Sequence, residues 1–118
     1  KIVYFFENYF EAIKILEKNL SLLKNEKNFQ IFKSDCFEFF NSYQKINEKF
    51  DIIFLDPPYK EKEINNILNN LSKFKALKTD GIIIIHRHKR KEDNFPEKFN
   101  IIEEKKYGIS KIIFGKFI

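Results

Sequence analysis

Two stretches of this chain are apolar at successive positions rather than alternate ones: IIFL after Asp51 in FDIIFL (50–55), and IIII at 82–85. Side chains of a strand alternate between faces, so an unbroken apolar run predicts a strand covered on both, as in a parallel sheet flanked by helices. The sequence between them supplies the crossover that parallel strands need. Ile64, Ile67, Leu68 and Leu71 recur there at helical spacing, and TDG at 79–81 reads as a turn into the second run. Upstream, IVYFF (2–6) predicts a strand, and Ala12, Leu16, Leu20 and Leu23, with Ile13, predict a helix across ENYFEAIKILEKNLSLL. Asn8 and Glu11 have the spacing of a capping box for that helix. FQIFK (29–33) predicts a second strand, and SDCFEFFNSY a short helix opened by Ser34 or Asp35. FNIIEEKKYG and ISKIIFGKFI close the chain as two adjacent antiparallel strands. This order of elements predicts one α/β domain over residues 1–118, a doubly wound sheet that is mostly parallel with an antiparallel C-terminal pair.

Composition narrows the class. With 43% hydrophobic and 33% charged residues, the chain can bury a core and lacks the composition of a disordered segment. A net charge of +5 favours an anionic partner, nucleic acid before membrane. The single cysteine, Cys36, excludes an internal disulfide and a cysteine-based zinc site. No apolar run approaches membrane-spanning length and the first residues lack a secretory pattern, so the expectation is a soluble, cytoplasmic protein. The sequence contains no methionine and opens inside a strand-like run, which leads us to expect that an N-terminal part is missing.

In a doubly wound sheet, ligands sit beyond the carboxyl ends of the strands. The residues expected there are Glu7, Ser34 to Cys36, Asp56 to Tyr59, and His86 to His88. FLDPPYK, residues 54–60, has the most specific chemistry. Each proline fixes φ near −65° and removes a backbone donor, and Asp56 is pushed toward an extended conformation because it precedes one. The turn therefore presents the Asp56 carboxylate and the Pro57 carbonyl as stiff acceptors, suited to a planar amine with two N–H groups. Tyr59 adds a flat face for base stacking. Acceptors on both hydrogens of a nucleobase amine localise its lone pair and make it a better nucleophile. The same tetrapeptide also occurs as an ordinary strand-to-loop turn.

D-P-P-Y after an apolar strand resembles motif IV of the amino-group methyltransferases that use S-adenosylmethionine. VYFFENYFEAIKILEKNL, FKSDCFEFF, KFDIIFLDPPYK and KKYGISKIIF, in that order, together resemble the RsmD family, which methylates the guanine N2 amine in 16S ribosomal RNA. The resemblance covers essentially the whole chain. It implies a Rossmann-like class I methyltransferase sheet, S-adenosylmethionine as cofactor, and small-subunit ribosomal RNA as partner. It also implies roles by position. Glu7 would hold the cofactor's ribose hydroxyls with Asn8 beside it; read alone, Glu7 is equally an acid favoured near the first turn of a helix. Asp35 would accept from the adenine amine and the Cys36 backbone would serve the ring, but Asp35 with Glu38 also reads as a helix cap.

Asp56, Pro57, Pro58 and Tyr59 would form the pocket for a flipped-out guanine, with Asp56 also against the cofactor. Tyr59, Lys60, Arg87, Lys89, Arg90 and Lys91 are the candidate RNA contacts, drawn largely from the basic stretch HRHKRK; a solvated charged loop is the other reading of that stretch. His86 and His88 flank an arginine, but no acid–histidine spacing supports a metal site, and no metal is expected. The chain departs from the resemblance in two places. His86 stands where many family members end the strand with an acid, and the first strand with its glycine-rich loop has no counterpart. The expectation is a monomer that, as this piece alone, binds S-adenosylmethionine poorly and is inactive. Two other functions fit the same residues: an amino-group methyltransferase acting on DNA adenine N6, another RNA guanine or a protein glutamine, and a noncatalytic RNA-binding α/β module.

Overall fold

The computed structural model describes residues 2–23, 28–36, 38, 49–58 and 64–118, and the chain divides into two units, Lys1–Tyr43 and Gln44–Ile118. In the first unit β1 (Val3–Phe6) and β2 (Phe29–Phe32) pair in parallel from Val3↔Phe29 to Phe6↔Phe32, joined through α1 (Phe10–Ser21). Val3 N–H to Asn28 O (3.0 Å) and Glu7 N–H to Phe32 O (3.1 Å) extend the ladder at its two ends. Phe6 stacks on Phe32 with ring centroids 4.8 Å apart. Ile13 is buried on α1, Ala12, Leu16 and Leu20 are half-buried, and Leu23 lies past the helix and is exposed.

The predicted capping box does not form. Tyr9 occupies the N-cap with no side-chain cap bond. The Glu7 carboxylate takes the approach to the helix instead, its Oε1 accepting from the N–H groups of Asn8 (3.1 Å) and Tyr9 (3.0 Å). The short helix predicted after β2 opens as expected, with Cys36 and Glu38 helical and the Glu38 N–H bonded to Asp35 Oδ1 at 3.3 Å; most of its remainder lies outside the described residues.

The second unit contains β3 (Phe50–Leu55), α2 (Ile64–Lys73), β4 (Leu77–His88), β5 (Phe99–Tyr107) and β6 (Ser110–Phe117). They form a mixed sheet in the order β3-β4-β6-β5, with β3 parallel to β4 and β6 antiparallel to both its neighbours. The predicted helix face is the observed one: Ile64, Ile67, Leu68 and Leu71 are each at most 2% exposed. Ile83 and Ile85 of β4 and Ile113 of β6 are equally buried, and these residues form the core of the unit. Burial of each such side chain contributes about 1.5–3 kcal/mol.

Helix α2 ends in a Schellman arrangement. Lys75 adopts φ 52°, its N–H bonds Ser72 O, and the Ala76 N–H reaches back to Leu71 O at 3.0 Å. Gly108, at φ 54°, turns the β5–β6 hairpin between the paired residues Tyr107 and Ser110.

Three expectations need correction. TDG (79–81) does not precede the strand but lies within it. While β3 advances from Phe50 to Ile52, β4 advances from Leu77 to Ile82, so the extra residues bulge out of the ladder. Gly81 permits this, because a Cβ there would stand 2.6 Å from Leu77 Cδ1 and 3.0 Å from Asp51 O. Second, among the described residues β3 stands at the edge of its sheet, and its Ile52 and Phe54 are 61% and 57% exposed, where the apolar run predicts cover on both faces. Third, β4 does not end at Ile85. His86, Arg87 and His88 continue it, paired with Ile112, Lys111 and Ser110 of β6.

A left-handed conformation costs a side-chain-bearing residue roughly 1–2 kcal/mol, part of which glycine returns as backbone entropy lost on folding. Lys75→Gly is therefore expected to stabilise the protein by about 0.5–1 kcal/mol, read as a higher urea midpoint at unchanged m-value.

Candidate active site at the strand ends

The register of the second unit builds one corner. Leu55 pairs with Ile85, so the next residues, Asp56 and His86, emerge side by side. His86 Nδ1 lies 2.8 Å from Asp56 Oδ1, and its Nε2 lies 2.9 Å from Ser110 Oγ. The Asp56 side chain is 55% exposed and that of His86 24%. Arg87, the next residue of β4, points to the opposite face and is fully buried. Its Nη1 donates to the Pro58 carbonyl at 3.0 Å, while Nε and Nη2 form a two-pronged pair with Asp93 at 2.9 Å each. The Asp93 side chain is itself only 4% exposed. Consecutive residues of one strand therefore hold the Asp-Pro-Pro corner at both ends, one by its side chain and the other by its backbone.

Arg87 thus differs from its expected role: its guanidinium is buried against Asp93 and Pro58 and does not belong to a surface that meets phosphate. Lys111, across the ladder from Arg87, is also buried and donates its Nζ to the Lys91 carbonyl. The chain after β4 is thereby pinned at 91 and 93. Among the remaining expected RNA contacts, Lys89 and Arg90 are exposed and Lys91 is half-buried. The Lys89 N–H bonds Ile109 O at 2.8 Å, tying this turn to the β5–β6 hairpin, and His88 Nδ1 accepts the Arg90 N–H. Tyr59 and Lys60 lie outside the described residues.

In the first unit, Glu7 and Asn8 follow β1, and Asp35 and Cys36 follow β2, so parallel pairing brings all four to one end of the ladder. Asn8 Nδ2 donates to Asp35 Oδ2 at 3.5 Å, a long contact. Asp35 Oδ1 serves the cap described above, so the cap reading of this acid holds in the structure. Cys36 is half-buried. Among the described residues no group of three or more His, Cys, Asp or Glu side chains is arranged for a metal ion, and no helix is long and apolar enough to cross a membrane.

The sequence reading missed the contact of His86 with Asp56, the anchoring of His86 on Ser110, and Asp93 as the partner of Arg87. Two of these had a signal. His86 follows its apolar run as Asp56 follows its own, so parallel strands in step bring them together. The alternation Ile83, Ile85, Arg87 places the arginine on the buried face.

This architecture, an α/β fold with an acid and two prolines at the exit of a parallel strand, is that of a Rossmann-like methyltransferase domain. A crystal structure provisionally described as a methylase from Haemophilus influenzae superimposes with a TM-score of 0.80 at 27% identity, over 98% of this chain and 71% of that one. A Streptococcus pyogenes protein of undescribed function shares the fold at TM-score 0.83 and 24% identity, over 97% of this chain and 70% of its own. Residues 1–116 match the profile of the family described as "Conserved hypothetical protein 95", and the chain belongs to that family, the RsmD family of the sequence resemblance. Curated relatives include a Bacillus subtilis protein, YlbH, provisionally named an rRNA methyltransferase, 28% identical over 95% of this chain and 61% of its own length. The Buchnera aphidicola ribosomal RNA small subunit methyltransferase D is 28% identical over 76% of this chain and 46% of its own. The chain therefore spans about half of the length of these two relatives.

Removing one member of a buried ion pair strands the other, at a cost of about 3–5 kcal/mol. Arg87→Met is expected to fall in that range by denaturant unfolding. Adding Asp93→Leu should recover a substantial part, so that a double-mutant cycle returns a coupling well above 1 kcal/mol.

Proposed function

We propose that this chain is part of an enzyme that transfers a methyl group from S-adenosylmethionine to the exocyclic N2 amine of a guanine in small-subunit (16S) ribosomal RNA, in the cytoplasm. The observation that carries this reading is the corner itself: a half-exposed Asp56 carboxylate held by His86, next to a Pro-Pro turn held by Arg87. In this reading Asp56 and the Pro57 carbonyl accept the two amine hydrogens and keep the nitrogen lone pair off the ring. Tyr59 stacks on the flipped base. Positioning is the main contribution, because a prearranged acceptor need not reorganise as charge develops on the nitrogen. As the N–C bond forms, the bond between that carbon and the donor's sulfur breaks, and the amine then gives up its surplus proton to solvent.

The first unit suits the nucleoside part of the cofactor. A nucleoside needs one acceptor for its ribose diol and another for its amine, and Glu7 and Asp35 supply carboxylates at the ends of adjacent parallel strands. Each already has one oxygen on backbone, Glu7 Oε1 with Asn8 and Tyr9 and Asp35 Oδ1 with Glu38, which fixes their orientation. The long Asn8–Asp35 contact is the one an adenine amine would displace. Glu7 and Asn8 are assigned to the ribose, and Asp35 with the Cys36 backbone to the adenine. When bound, S-adenosylmethionine supplies a methyl group activated by its positively charged sulfur. Lys60, Lys89, Arg90 and Lys91 are assigned to RNA phosphates.

Tritiated-methyl transfer by the full-length protein tests the assignment. Transfer to small-subunit RNA and not to duplex DNA is the expected result, with Asp56→Ala lowering kcat by about 100-fold or more while RNA binding persists. Transfer to DNA or protein would place the enzyme with other amino-group methyltransferases, and undiminished methylation by Asp56→Ala would remove the corner from catalysis. Neutralising Lys89 and Arg90 to alanine should weaken RNA binding and lower the slope of log K against log salt by roughly 0.7–0.9 per residue. Filter binding across a salt series checks this.

A further inference from the structure

Asp56 Oδ1, the His86 ring and Ser110 Oγ stand in line, with separations of 2.8 Å and 2.9 Å. An ionised carboxylate has no hydrogen to give, so the short contact requires the proton on Nδ1. A neutral ring then leaves Nε2 as an acceptor, and the Ser110 hydroxyl donates to it. The two contacts together select one tautomer. Backbone pairing fixes the line: His86 faces Ile112 and Ser110 faces His88, so Ser110 is the diagonal neighbour of His86. Among the described residues, Asp56 reaches His86 from the end of β3, Ser110 and Ile112 flank it on β6, and Ile84 and His88 share its face of β4.

Resting on the function proposed above, we propose that His86 is a positioning residue for methyl transfer. Anchored on Ser110, it holds Asp56 by Oδ1 and leaves Oδ2 as the oxygen for the amine. A side chain as exposed as Asp56 would otherwise sample several rotamers, and a misdirected acceptor loses the alignment on which such a site depends. The role belongs to the ring that carries its proton on Nδ1, the form in which it donates to Asp56 and accepts from Ser110.

Two measurements test the role separately from the function it serves. Nitrogen-15 NMR of the imidazole in the full chain should show neutral His86 protonated on Nδ1, and Asp56→Ala should move that proton to Nε2, where it can donate to Ser110. A wild-type ring protonated on Nε2, or a tautomer indifferent to Asp56→Ala, overturns the proposal whatever the protein catalyses. In the full-length enzyme, His86→Phe should lower kcat about 10- to 100-fold with the KM for S-adenosylmethionine within twofold of wild type. His86→Asn, whose amide N–H takes the place of Nδ1–H, should restore most of the rate. An active wild type with His86→Phe unchanged sinks the role of His86 alone. An inactive wild type sinks the function and leaves the tautomer measurement to stand.

Discussion

Parallel pairing of β3 with β4 decides where the polar groups of the corner lie. From Ile52↔Ile82 to Leu55↔Ile85 the two strands run in step, and the residues just beyond are therefore neighbours. His86 meets Asp56 because both stand one residue past the same rung. Arg87 is then turned to the other face, where Asp93 and the Pro58 carbonyl receive it. Prolines stiffen a turn from within; here β4 also holds that turn from outside.

The Arg87–Asp93 pair is a costly way to hold a carbonyl. Desolvating two charges can consume most of what their attraction returns, and apolar residues of similar volume are often as stable in such places. A guanidinium, however, forms two parallel bonds to a carboxylate and still has an N–H to direct elsewhere. That third bond, to Pro58, fixes the direction of the turn. Lys111 adds a further tether by binding the Lys91 carbonyl from the neighbouring strand. Charge is used inside this unit to set geometry.

Much of the fold could be read from periodicity. The buried face of α2 appears in the sequence as Ile64, Ile67, Leu68 and Leu71, because a helix packed on a sheet leaves few alternatives. The antiparallel pairing of the last two strands was legible for a similar reason. What failed depended on competition between neighbours. Asn8 and Glu11 had capping-box spacing, but Glu7 lies closer to the same backbone and took its hydrogens. Thr79, Asp80 and Gly81 read as a turn because a strand with extra residues on one side has no separate signature. At the candidate site, Asp56 and the acids after β1 and β2 were legible as residues at strand exits. Arg87 was hidden by the company it keeps, since all five of the other residues from His86 to Lys91 are also histidine, lysine or arginine. Charge composition outweighed the alternation that assigns it to the interior.

The bulge at Gly81 reaches further than its location suggests. In a strand, a shift of a single residue exchanges inside for outside along its whole length. Displaced by one, β4 would aim the guanidinium at Asp56 and bury an imidazole against Asp93. The extra residues between Leu77 and Ile82 set the phase in which β4 meets its neighbour, and the absence of a side chain at position 81 lets them fit. A glycine near the start of the strand thus determines, several residues later, whether an imidazole or a guanidinium stands on the side of Asp56.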